Sequence, residues 1–479
     1  GAVIVLPILA IGSISVLGVT GSLLVACTAS SFMLMNRIDE GVVIPFGDIL
    51  ALKASYWIVM AAAVGLAGVD IFRAIQGQKN PPNSAQFAMV FFSLLACFIA
   101  ELIAGGIFNH FLDRQIFLRD VTGEFLASAS IIAPMLFVPL ILFAPLPRTK
   151  LVLIVQCTIA LAGLAGLVMA AFGFLPGRLL NMLGWATANQ GSVGMLRGRL
   201  PLGHPNAVAA VMILLLPPSV VLGLIPGGLH WRLFYLVCSI LMFGGILFSL
   251  ARSALLVTVL VLGLTVAYIY FGRGRKTVTT YLLPVIFSVS LVAVMTYLFL
   301  TFDFSRFWKR GGYEDATLDR RNVSLVTSAY VFKDYPLFGI TPDAMYMRLE
   351  TRPGWEPPME DNISPIYYYQ EKMSAETPHN MYMTVLAETG VLGALCFFGM
   401  IGYVLYTLWR LSKSHHLSDE QRHAIMGFFL GLVGFLLMGA FEALLMVGLR
   451  PAFLFWMMAG LAIRYAHEVA APRNAPATG

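Results

Sequence analysis

The chain has 479 residues, 58% of them hydrophobic and only 12% charged. Soluble domains carry about 25% charged residues, so this composition excludes a water-soluble globular protein and makes the bilayer the solvent. The net charge of +6 then reads as the cytoplasmic Lys and Arg of a membrane protein rather than a nucleic-acid surface.

Apolar runs long enough to cross about 30 Å of hydrocarbon recur along the chain. Backbone polar groups in lipid are satisfied only within the segment, so each run is expected to be a helix. In order they lie near 2–35 (one long helix or two short ones), 50–73, 85–108, 123–147, 150–175, 206–227, 231–249, 253–271, 279–301, 381–408, 423–447 and 451–467. The expected fold class is an all-α polytopic transmembrane bundle of about twelve spans with one large extracytoplasmic loop containing short helices. Residues 1–301 form its N-terminal helices, 302–380 the large loop, 381–468 the C-terminal helices and 469–479 a disordered tail. The five cysteines (Cys27, Cys97, Cys157, Cys238 and Cys396) all fall inside apolar runs, which suggests neither a disulfide framework nor a CxxC metal site.

Basic residues in the short connections set the orientation. Arg148 and Lys150, then Arg273, Arg275 and Lys276, then Arg410, Lys413 and Arg422 form three clusters. Placing all three in the cytoplasm puts the 302–379 loop outside. The connection 176–205 and the bend at Ser249-Leu250-Ala251-Arg252 then fall outside too. The outer connection carries Arg178, Arg197 and Arg199 and no acidic residue, against the usual charge rule. A moderately long loop that crosses regardless of charge would account for it, and so would an anion site at the outer face.

Four basic elements converge on that face. Arg197-Gly198-Arg199 leads through Gly203-His204-Pro205-Asn206 into a helix. Arg252 sits at a bend between two spans, where an arginine within hydrocarbon would cost about 2.5–3.5 kcal/mol. Asp319-Arg320-Arg321-Asn322 starts an amphipathic stretch with Asp319 as a plausible cap. His379 ends the polar segment: Thr377 can cap, Pro378 suits the first helical position and His379 follows in the first turn. A helix N-terminus disfavours a cationic imidazole, so His379 is expected neutral and able to accept a proton. Arginine suits phosphate because its planar fork donates two parallel hydrogen bonds. Arginines plus one neutral base suggest a reaction of an activated diphosphate, with the arginines on the leaving group and the histidine deprotonating an acceptor hydroxyl. No HExxH or DxD-type cluster points to a metal, and no cofactor is expected. Glu101 and Glu442 lie inside expected spans near their outer ends, and Glu388 follows His379 by nine residues. Intramembrane acids are functional candidates, with pairing to an arginine in the bundle as the equal alternative.

These residues resemble the bacterial O-antigen ligase and polymerase superfamily. The strongest match runs from Thr377-Pro378-His379-Asn380-Met381-Tyr382 through Ala387-Glu388-Thr389-Gly390 to Gly393. Asp334-Tyr335-Pro336-Leu337-Phe338-Gly339-Ile340 is similar to the family's Pro-Leu-Phe-Gly element. Gly203-His204-Pro205-Asn206 and Ser249–Ser253 resemble its two earlier signatures, although Leu250 and Ala251 here separate Ser249 from Arg252. The resemblance implies a metal-independent, inverting glycosyltransferase of the bacterial inner membrane, with its active site facing the periplasm. The donor would be a glycan on undecaprenyl diphosphate. The acceptor would be a lipid A-core sugar in a ligase, another lipid-linked repeat in a polymerase, or a protein in other relatives. His379, Arg252, Arg320 and Arg321 become the expected catalytic residues, and Arg197, Arg199, His204, Asn206, Asn380 and Glu388 the expected substrate-binding ones. A transporter or flippase for lipid-linked sugars is the competing class, but transporters place polar sites near the midplane between internal repeats. Here no convincing repeat is visible and the charges gather at one face.

Overall fold

The computed structural model describes residues 82–112, 121–144, 146–171, 186–187, 197–198, 205–225, 228–249, 251–271, 331–342, 379–446 and 449–470, with single positions within 21–28 and 325–329. The expected spans at 2–35, 50–73 and 279–301 lie almost wholly outside them. The described helices are α1 (Pro82–Leu112), α2 (Val121–Met135), α3 (Phe137–Phe143), α4 (Arg148–Ala171), α5 (Pro205–Leu224), α6 (Leu229–Phe248), α7 (Arg252–Phe271), α8 (Met381–Ser412), α9 (Asp419–Met438) and α10 (Leu449–Ala470). A two-residue ladder joins β1 (Ala186–Thr187) to β2 (Arg197–Gly198), pairing Ala186 with Gly198 and Thr187 with Arg197.

Seven of these helices, α1 and α4 to α9, are long and apolar enough to cross a membrane. The protein is membrane-embedded. The run expected at 123–147 is instead two helices that part at Leu136, within a stretch holding Pro134 and Pro139. Proline cannot donate to the preceding turn, which breaks the ladder there. The run expected at 423–447 also ends early, at Met438, and continues as turns through Met446.

The core is built around α5. It is apolar on every side, the pattern of a helix enclosed by others, and all but one of its twenty residues are buried. It packs against α9, α6 and α7, while α4 lies on α6 and α1 on α8. Lipid tails are as apolar as leucine, so close backbone packing at small residues drives helix association. A Cβ on Gly431 of α9 would stand 2.1 Å from the Leu214 carbonyl oxygen of α5. On Gly166 of α4 it would stand 2.2 Å from the Leu241 oxygen of α6.

The chain path sorts the helix ends. Short connections make α5, α6 and α7 alternate in direction, and α8, α9 and α10 do the same. The starts of α5, α7, α8 and α10 therefore share one end of the bundle with the finish of α6 and α9. Arg410, Lys413, Arg422 and Arg464 lie toward the other end. Arg148 joins them there, stacking 5.6 Å over the ring of Tyr465. Arg464 holds that end together: its Nε donates to Glu468 Oε1 at 2.6 Å, and its guanidinium also donates to the carbonyls of Leu142 and Leu146. Lys413 lies 4.2 Å over Trp409, an aromatic–cation pairing suited to a membrane interface. In a cysteine-free chain, a cysteine replacing His416 at this basic end is expected to react with an impermeant maleimide only after spheroplasts are opened. One replacing Ser374 is expected to react in intact spheroplasts. The reverse pattern would invert the orientation.

Candidate active site

The end of the bundle opposite the basic clusters is stitched together by polar groups. Asn380 caps α8 in extended conformation (φ −152, ψ 110), and its side chain accepts from Met383 N at 3.0 Å. Its Nδ2 donates to the Ala440 carbonyl at 3.2 Å. Met381 N, an amide that helix geometry leaves orphaned, donates to the Gly439 carbonyl at 2.7 Å. Gly439 is small because Met381 presses on it: a Cβ there would lie 2.7 Å from Met381 Cε. The start of α8 is thus fixed to the turn that follows α9.

That turn delivers Glu442. Its Oε1 accepts from His379 Nδ1 at 3.0 Å, and its Oε2 accepts from Asn206 Nδ2 at 3.0 Å. His379 is 24% and Glu442 16% exposed, whereas Asn206 is buried at the start of α5. Three elements distant in sequence therefore meet on one carboxylate. A carboxylate only accepts hydrogen bonds, so Nδ1 carries a proton and points it at Glu442. Hydrogen bonds to charged groups contribute about 1.5–3 kcal/mol, enough to hold the ring in one orientation.

Two expectations are corrected here. Asn380, not Thr377, is the cap, so His379 precedes the helix instead of sitting in its first turn, and the group on its ring is Glu442. Glu442 itself is not inside a span: α9 has ended at Met438, and the acid stands in the turns beyond it. Among the described residues, Glu442 bonds to His379 and Asn206.

The other expected site residues are distributed as follows. Arg252 is half-buried and opens α7, at the same end of the bundle as Asn206, His379 and Glu442. The bend before it is closed by Ser249, whose buried Oγ donates to the Ile246 carbonyl at 2.7 Å and accepts from Ala251 N at 3.3 Å. Arg197 stands in the short ladder with Thr187. Glu388 is buried on α8, about two turns beyond the helix start. Arg199, His204, Arg320 and Arg321 lie outside the described residues.

Fold and site together define a polytopic helical membrane protein with a histidine–carboxylate pair at one end of its bundle. Residues 237–398, about a third of the chain, match the family model Wzy_C, described as O-antigen ligase. This match supports the O-antigen ligase and polymerase superfamily, a class of membrane enzymes. It takes in the Ser249–Arg252 bend, His379 and the first part of α8, while Asn206 and Glu442 fall outside it. No curated protein matches the chain.

Proposed function

We propose that the protein is a glycosyltransferase of the bacterial inner membrane that moves a glycan from undecaprenyl diphosphate to an acceptor hydroxyl on the periplasmic side. The observation that carries this reading is His379 held by Glu442 and Asn206, at the bundle end away from the basic clusters. His379 Nε2 takes the proton of the acceptor hydroxyl. The acceptor oxygen bonds to the anomeric carbon from the face opposite the leaving group, the bond from that carbon to the diphosphate oxygen breaks, and the configuration inverts. Glu442 accepts the Nδ1–H throughout and balances the positive charge that the imidazole gains. Arg252, with Arg199, Arg197 and one of Arg320 and Arg321, neutralises the undecaprenyl diphosphate that leaves. No step calls on a metal.

The acceptor is a lipid A-core sugar or another lipid-linked repeat. The deciding experiment is donor-dependent release of undecaprenyl diphosphate by the purified protein, run with each acceptor. No release with donor bound would favour transport. A broken membrane helix is a transporter feature, and α8 is broken at Gly390. Its freed amides at Val391 and Leu392, however, are taken by the chain's own carbonyls, so they are not left to hold a carried anion.

Arg252→Lys keeps the charge but loses the fork that grips two phosphate oxygens. Donor affinity is expected to fall roughly 10-fold or more, in line with about 1.5–3 kcal/mol for a charged hydrogen bond. Unchanged donor binding and turnover in this variant would reduce Arg252 to an interfacial anchor.

A further inference from the structure

Eleven residues past His379, α8 is interrupted at Gly390 (φ 61, ψ −170). Val391 N and Leu392 N would bond back to Ala387 and Glu388 in a continuous helix. They donate instead to the carbonyls of Pro336 and Leu337, at 2.8 and 3.3 Å, while Ile340 N donates to the Ala387 carbonyl at 3.0 Å. The segment 336–340 is thereby hydrogen-bonded into the break. Two glycines make this possible, because the other chain comes so close to each that no side chain fits. A Cβ on Gly339 (φ 63) would lie 2.4 Å from the Glu388 carbonyl carbon, and one on Gly390 would lie 2.3 Å from that of Leu337.

Helix α1 closes the third side. The Phe338 ring lies 5.6 Å from that of Phe108, and a Cβ on Gly105 would stand 3.3 Å from Phe338 Cβ. Glu101 comes from the same helix into the space left by Gly393, whose Cβ would stand 2.5 Å from Glu101 Oε2. Glu101 is 6% exposed, and neither of its carboxylate oxygens has a hydrogen-bond partner among the described residues. The second half of α8 starts beside it, and a helix start is where an acid is favoured.

We propose that this interlock is a positioning device: Gly339 and Gly390 lock the segment 336–340 into the far end of the half-helix that follows His379, and so hold that half-helix, and the base just before it, in place. The inference rests on the transferase reading. That half-helix is tied at both ends, to the Gly439 and Ala440 carbonyls at its start and to the segment 336–340 at its break. A half-helix anchored at both ends holds its start more narrowly than one anchored at a single end. The bundle core is packed elsewhere, by α5, α6 and α9, so loosening the interlock affects alignment before it affects the fold.

The test uses the full chain in nanodiscs and reads undecaprenyl diphosphate release. Gly390→Ala and Gly339→Ala place a side chain where backbone stands and are expected to lower kcat roughly 10-fold to 10²-fold, the scale of a 1 Å misplacement. The thermal midpoint of the bundle should stay near that of the parent. Phe338→Ala loosens the same wedge without backbone strain, and covers the case in which a glycine variant does not fold. It is expected to lower kcat several-fold. Cysteines replacing Leu337 and Leu392, in a chain otherwise free of cysteine, report the interlock directly. Residues joined by a backbone hydrogen bond are near enough for a disulfide. The bridge should form, leave turnover intact, and form poorly once Gly390→Ala is added. Full turnover in Gly390→Ala and Phe338→Ala would overturn the proposal, as would loss of turnover in the bridged protein. If the parent released no undecaprenyl diphosphate, the transferase reading would fail, while the bridge would still report whether the interlock exists.

Discussion

Replacing His379 with alanine is expected to abolish glycan transfer while leaving donor binding intact. The two effects separate because the arginines proposed to hold the diphosphate come from other elements. Arg252 starts α7, and its position depends on the Ser249 bend, not on His379. A positioned general base contributes roughly 10²–10⁴-fold, so turnover should fall by that factor with little change in donor affinity. Cells carrying His379→Ala should accumulate lipid-linked glycan and lack the ligated or elongated product. His379→Gln sharpens the test. A glutamine can donate to Glu442 in place of Nδ1 and preserve the contact between α8 and the turn after α9, but it cannot take a proton from the acceptor. It should be nearly as inactive as the alanine variant and closer to the parent in stability. Near-normal turnover in His379→Gln would leave the histidine a positioning role and pass the catalysis to the arginines.

Much of this architecture can be read from residue order because lipid allows few alternatives. An apolar run with no water to bond its backbone must be helical, and the basic connections 148–150, 273–276 and 410–422 indicate which ends belong together. The bundle places Arg148, Arg410, Lys413 and Arg422 toward one end and Asn206, Arg252 and His379 toward the other, while residues 273–276 lie outside the described residues. What composition hides is where a run stops being helix. The stretch from Phe441 to Val447 is apolar enough to look like more of α9, so Glu442 looked like a buried acid within a span. Only its contacts with His379 and Asn206 reveal a carboxylate at the mouth of the bundle. Gly390-Val391-Leu392-Gly393 likewise reads as ordinary membrane helix, and its break depends on a partner segment fifty residues earlier. Thr377-Pro378 read as the start of α8, but the cap is Asn380, which the tertiary bond to Ala440 holds in place. Pairings between distant segments leave no periodic trace in the sequence, and the site is made of such pairings.

The same argument makes Glu442 the second residue whose loss should be severe. Its two oxygens do different work: one receives the His379 Nδ1–H and fixes which nitrogen faces the acceptor, and the other is anchored by Asn206 on a different helix. Glu442→Gln keeps the shape but removes the charge that balances the imidazolium, and it turns one accepting atom into a donor facing the Asn206 amide. Turnover is expected to fall about 10²-fold, the upper range for losing a partner that orients a functional histidine, with donor affinity nearly unchanged. A purely structural role would predict the same loss in any background. The dyad predicts something more specific. Adding Asn206→Asp to Glu442→Gln restores a matched set, because the new carboxylate accepts from the glutamine amide while the glutamine oxygen still accepts from His379. The carboxylate is then one bond further from the imidazole, so recovery should be partial, on the order of 10-fold over Glu442→Gln alone, and Asn206→Asp by itself should be impaired by two carboxylates facing each other. If the double variant is no better than Glu442→Gln, the acid serves only to tie the turn after α9 to α5, and the orientation of His379 must come from another group.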